Sequence, residues 1–170
     1  MRYILSVVIC FTVVQVQSAK LPQWFLDAFK AKGLDKKYVL TPYLKNDFLQ
    51  ADFNGDTAID VAALIVEKGS ERDGILLIHK KTNEHFIFGA GVSTLNGYDD
   101  YNWMLKWSLY KKDKTFETIY DKNTGEVLSE IELKLKHPAL LLEGYETKEK
   151  PVNGVVYWNG SVYIWVPQAE

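Results

Sequence analysis

From Asp60 to its C-terminal end the chain alternates between short β-forming runs and compact clusters of turn residues. This rhythm narrows the possible architectures more than any other feature. The runs are DVAALIVE, GILLIHK, EHFIFGAG, WMLKWSLY, FETIYD, EIELKLK, ALLLEGY, GVVYW and SVYIWV. They are short for globular helices and rich in the β-branched and aromatic residues that suit a pleated surface. Between them KGSERDG, KKTNE, DKNTGE and NG supply the residues that reverse a chain. The pattern predicts an α+β domain built on a mainly antiparallel, curved sheet of roughly eight strands in meander order, sandwich-like or partly closed.

The last two runs form the clearest local signal. In VVYWNGSVYIW, Asn159-Gly160 stands between two alternating apolar segments, the pattern of a two-residue primed hairpin turn. Alternation puts Val156 and Trp158 on one face with Tyr157 on the other, and Tyr163 and Trp165 opposite Val162 and Ile164.

A different pattern precedes the strands. In LPQWFLDAFKAKG, Pro22 suits a first helical position and Gly33 a C-terminal stop. Trp24, Phe25, Ala28 and Phe29 share one side, with Lys30 and Lys32 in the last turn where the helix dipole favours cations. A short N-terminal helix packed on the sheet is expected.

Ahead of that helix, MRYILSVVICFTVVQVQSAK carries one charge at Arg2, then an apolar run from Tyr3 to Val14, then small residues at Ser18 and Ala19. This is the layout of a cleavable secretory signal peptide over residues 1–18. A membrane-spanning helix needs about twenty apolar residues. Secretion or periplasmic export follows, with residues 19–170 as a single β-rich domain and no transmembrane segment in the mature chain.

Cys10 is the only cysteine and lies in the predicted leader, so the mature chain has neither a disulfide framework nor a thiol nucleophile. Removing Arg2 with the leader takes the formal charge from −2 to −3. The lysines are scattered, without the basic stripe that phosphate backbones require, so nucleic acid is not an expected partner. A monomer is expected.

The segment LQADFNGDTAID poses the main chemical question. Counted from Asp52 as position 1, oxygen-bearing side chains fall at Asp52, Asn54, Asp56 and Asp60, positions 1, 3, 5 and 9, with the Ala58 carbonyl at position 7. A calcium loop uses this register, because Ca2+ takes six to eight oxygens and a tight loop wraps them round it. Thr57 stands at position 6, where glycine permits the bend, and Ala63 at position 12, where an EF-hand has glutamate. The loop is therefore not an EF-hand. Alternatively, the same residues accept backbone N–H bonds in a tight turn. A site of this kind has a dissociation constant on the order of 10⁻⁴ to 10⁻³ M.

DFNGDTAID followed by an apolar strand resembles the calcium loop of FG-GAP repeats, as found in integrin α-chain propellers and many exported bacterial proteins. The resemblance implies Asp52, Asn54, Asp56 and Asp60 as ligands, with Thr57 replacing the motif's glycine. Over a longer span, YLKNDFLQADFNGDTAIDVAALIVEK, GILLIHKKTNEHFIFGAG and VVYWNGSVYIWV resemble an uncharacterised family of exported Bacteroidetes-type proteins, which implies export and a single domain but no activity.

Other candidates are less specific. NGYDDYNW sets Asp99 and Asp100 between Tyr98 and Tyr101, either a solvated turn or a recognition loop for sugars or peptides. His79 and His85 flank KKTNE and are candidates to meet across a hairpin, with no third ligand at useful spacing. GAG at residues 89–91 lacks the third glycine of a dinucleotide fingerprint.

The functional expectation is an exported, non-catalytic binding or interaction module for an unknown protein or carbohydrate ligand. It carries a calcium-stabilised loop and a surface formed by Tyr98, Asp99, Asp100, Tyr101, Trp158 and Trp165. The alternatives are a small carbohydrate-active hydrolase, drawing acids from Asp52, Asp56, Asp99 or Asp100, and an inhibitor or immunity-type protein.

Overall fold

The computed structural model describes residues 20–168 apart from 94 and 122. The predicted signal peptide lies outside the described residues. Helix α1 spans Gln23–Ala31, with Pro22 one position earlier than expected, at the N-cap. The Pro22 carbonyl accepts N–H bonds from Phe25 (3.0 Å) and Leu26 (3.3 Å). At the other end Gly33 adopts φ +67°, a left-handed conformation that glycine enters without steric penalty, and the chain turns into the single-turn helix α2, Leu34–Lys37.

Eleven strands follow among the described residues. They are β1 (Tyr38–Leu40), β2 (Phe48–Ala51), β3 (Asp60–Glu67), β4 (Asp73–Ile78), β5 (His85–Gly89), β6 (Met104–Tyr110), β7 (Lys114–Tyr120), β8 (Val127–Lys134), β9 (Ala139–Thr147), β10 (Lys150–Trp158) and β11 (Tyr163–Pro167). All their pairings are antiparallel. They form three sheets, the two larger packed face to face in keeping with the sandwich-like expectation. In the first, β1-β3-β4-β5, strand β2 also pairs with β3; the second runs β11-β10-β9-β6 and the third is the hairpin β7-β8. None of the sheets is closed.

The layers explain the hydrophobic patterns. Ala62, Leu64, Ile75 and Leu77 on one face of the first sheet pack against Trp107, Leu140, Leu142, Val156 and Tyr163 of the second. On the opposite face Val61, Ala63, Ile65, Leu76 and Ile78 pack against Phe25, Ala28 and Phe29 of α1. Strands β3 and β4 are therefore covered on both sides, which is why DVAALIVE and GILLI read as nearly continuous apolar runs. Fully burying each large aliphatic side chain contributes about 1.5–3 kcal/mol, so this double coverage makes β3 and β4 the spine of the fold. Beyond the second sheet, Leu135, Ala139, Val155, Tyr157 and Val166 form a smaller core with Leu133.

The C-terminal hairpin departs from its predicted turn. Trp158 pairs with Tyr163, leaving Asn159 to Val162 as a four-residue loop, with the Asn159 side-chain oxygen accepting the N–H groups of Ser161 and Val162, both at 3.0 Å. The register moves by two residues relative to a two-residue turn. Because the side-chain period is also two, the predicted faces survive: Val156, Trp158, Tyr163 and Trp165 all join the core between the sheets.

Candidate functional site

Ala51 pairs with Asp60, so residues 52–59 form the loop that closes the β2–β3 pair. Its curvature is organised around side-chain oxygens. Asp52 Oδ1 accepts the N–H groups of Gly55 (2.7 Å) and Asp56 (3.0 Å), and Oδ2 that of Thr57 (2.8 Å). Asn54 Oδ1 also accepts from Asp56 N (3.1 Å), so oxygens of Asp52 and Asn54 converge on one amide. Asp56 Oδ1 accepts from Ala58 N (2.8 Å), while its Oδ2 receives the Asn54 amide (3.1 Å). Gly55 and Thr57 both take left-handed backbone angles, φ +78° and +72°. Thr57 thus makes the bend for which the motif uses glycine.

Asp60 plays a separate role. It is fully buried, and its two oxygens accept N–H bonds from Phe53 (3.0 Å) and Lys80 (2.9 Å), fastening the loop to the end of β4. Burial, helped by the nearby Asp56 and Asp52 charges, pushes its carboxyl up to about 6 against the pull of these two amides. For Asp56, burial works against ionisation, but the Ala58 amide, the Asn54 side chain and Lys81 outweigh it and hold the pKa below the ordinary value.

The donor chemistry suits a hard cation. Asp52, Asp56 and Asp60 each retain acceptor capacity beyond the amides they bind, since an ionised carboxylate offers about four lone-pair sites. As they stand, each serves its own amides. Among the described residues no three His, Cys, Asp or Glu side chains form a ready metal-holding group.

The predicted aromatic surface is largely interior. Tyr101 is 0% exposed, a correction to its expected role as a surface residue, and it packs 5.3 Å from Trp103. Tyr98 and Trp165 are half-buried and meet Trp103 at 5.8 and 6.2 Å. Trp158 belongs to a second ring cluster with His79, Phe86 and Tyr163. The four aromatic residues expected on one surface are thus divided between two ring clusters. Alternation along β10 and β11 correctly grouped the aromatic side chains but did not reveal that a second sheet covers their face.

Asp99 and Asp100 brace the fold. Asp99 Oδ2 lies 2.5 Å from Arg72 Nη1, and Arg72 also binds the buried Glu67 at 2.7 Å. Asp100 Oδ1 accepts from the backbone N–H groups of Asp73 (3.0 Å) and Asn102 (3.1 Å). The Glu67–Arg72–Asp99 cluster escaped sequence reasoning because its members come from three segments with no motif to join them. Tyr98 donates to Glu146 at 2.7 Å beside a shallow pocket of about 420 Å³, lined by Trp103 and the exposed Leu105 and Tyr145.

The two candidate histidines lie apart. His79 pairs through its backbone with Glu84, one position out of phase with the Ile78–His85 pair, so the two rings project from opposite faces. His79 is fully buried between the sheets, while His85 is exposed. His137 lies under the acidic loop, where a Cβ added at Gly55 would stand 3.2 Å from its ring.

No family model, curated protein or solved structure matches the chain.

Proposed function

We propose that this chain is an exported binding or interaction module, without catalytic chemistry of its own, whose 52–60 loop is rigidified by calcium. The observation that carries the reading is the convergence of Asp52 Oδ1 and Asn54 Oδ1 on the single N–H of Asp56, at 3.0 and 3.1 Å. It gathers hard oxygen donors within one turn, in the register that calcium loops use. Export rests on the leader pattern at residues 1–18. The non-catalytic reading draws support from Asp99 and Asp100, both committed to bracing contacts. The recognition surface is the Tyr98 rim and the pocket beside it, where Leu105 and Tyr145 offer exposed apolar area to a protein or carbohydrate ligand.

The test is thermal unfolding with calcium and with chelator, for the wild type and for Asp56→Ala. Calcium at 100 times its dissociation constant stabilises by about 2.7 kcal/mol, which raises the melting temperature of the wild type and leaves the variant unmoved. Identical melting of the wild type in both conditions removes calcium from the proposal.

A further inference from the structure

We propose that two copies of this chain pair through the free edge of β8, joining their β7–β8 hairpins into one four-stranded antiparallel sheet. An exposed strand edge carries a row of unpaired backbone groups that a second strand can satisfy. Strand β8 pairs only with β7 among the described residues, and every one of its residues except Leu133 is exposed. Val127, Leu128 and Ile131 on β8 and Phe116 on β7 are more than 40% exposed. The outer side of β7 is occupied by a side chain: Gln168 Nε2 donates to the Phe116 carbonyl at 3.2 Å and Gln168 Oε1 accepts from Thr115 Oγ1 at 2.9 Å. Growth of this hairpin sheet is therefore directed to β8, and one edge per copy closes a twofold pair.

Backbone direction and charge select the register. Leu135 N–H reaches Asp113 O at 2.7 Å, so alternation turns the backbone groups of Leu133 and Ile131 towards β7 and those of Glu130, Glu132 and Lys134 outward. The charged residues run Glu130, Glu132, Lys134, Lys136. In an antiparallel pair centred on Leu133, residues 132–134 of the two strands overlap, and Glu132 of each copy faces Lys134 of the other. Within the hairpin, Lys134 sits opposite Lys114, whose own carboxylate partner is Glu132 at 3.0 Å. Lys134 has no ion pair among the described residues. Like charges directly opposite destabilise a ladder, and Glu132 of the second copy supplies the missing carboxylate.

Sedimentation equilibrium of the purified protein, up to about 100 μM, tests the pairing. A concentration-dependent dimer is expected. Glu132→Lys and Lys134→Glu each put like charges opposite one another at both symmetric positions and weaken the dimer about tenfold or more. Mixing the two variants restores pairing, because one copy then carries two lysines where the other carries two glutamates. A monomeric wild type, single variants that dimerise as tightly as the wild type, or a mixture that stays as weak as its components would each overturn the proposal.

Discussion

The hydroxyl of Tyr163 lies 2.8 Å from Nε2 of His79, a polar contact enclosed between the two larger sheets. It joins the end of β4 to the start of β11 and is ringed by Phe86 and Trp158. Tyr163→Phe keeps the ring packing but leaves a buried imidazole nitrogen without its partner. A loss of about 1–3 kcal/mol in urea unfolding is expected, the cost of a stranded buried polar group. A change within a few tenths of a kcal/mol would show that the contact adds nothing to the packing.

The same histidine sets a pH dependence. Burial lowers the His79 pKa below its ordinary 6.5, although Glu84, Asp56 and Asp52 pull it upward. A folded pKa below the unfolded one means that the unfolded chain takes the proton more readily. The contribution of His79 is therefore fully present above about pH 6.5 and declines as pH falls below that value. His79→Gln does not titrate in this range. The stability difference between wild type and variant, measured at pH 7.5 and at pH 5, should move against the wild type at the lower pH; a constant difference would remove the switch.

Gly91 tests the Glu67 cluster. Its φ is +85°, and a Cβ added there would lie 2.5 Å from the Glu67 carboxylate, which also binds Arg72 at 2.7 Å and Lys37 at 3.2 Å. Hydrogen bonds from Ser70 and Arg72, with Lys37, hold the Glu67 carboxyl down to about 2, so it stays ionised at neutral pH. Gly97 has a similar φ of +87° with nothing within 4 Å of the added carbon. Gly97→Ala should cost only backbone strain, about 1 kcal/mol, whereas Gly91→Ala adds the displacement of Glu67 and costs roughly 2–3 kcal/mol. Equal losses in denaturant unfolding would mean that the carboxylate moves aside freely.

These positions mark how far the sequence could be read. Alternation grouped Trp158, Tyr163 and Trp165 correctly because a register change of two preserves the face. The runs also carried the mainly antiparallel α+β class, but not the partition into three sheets, because strand pairing between distant segments leaves no local pattern. β6 skips the β7–β8 hairpin to pair with β9, and nothing in WMLKWSLY announces that choice. In the acidic loop the spacing picked out the side chains whose oxygens accept the loop's N–H groups, Asp52, Asn54, Asp56 and Asp60. Their assignment to particular amides, and the burial of Asp60 under Lys80 N–H, depend on β4 arriving beside the loop. Tyr101 was misplaced because a tyrosine in a polar loop looks the same whether its ring turns outward or into the core.

Thr57 offers a test of the loop that does not depend on any ligand. It is exposed, and its φ of +72° places a β-branched residue in the left-handed region, where its Cβ crowds the backbone. The penalty for an L-residue there is about 1–2 kcal/mol. Its N–H bond to Asp52 Oδ2, 2.8 Å, belongs to the backbone and survives any non-proline substitution. Thr57→Gly removes the strain and gives back part of that gain through the greater freedom of glycine in the unfolded chain. A net stabilisation of about 1 kcal/mol is expected, read as a higher denaturant midpoint at unchanged slope. Under the calcium reading, the relaxed bend also lets the loop adjust to the ion at smaller cost, so the calcium-induced shift in melting temperature should grow at a fixed subsaturating calcium concentration. Stabilisation without that larger shift would assign Thr57 to backbone strain alone, and a destabilised variant would show that its side chain supports the loop.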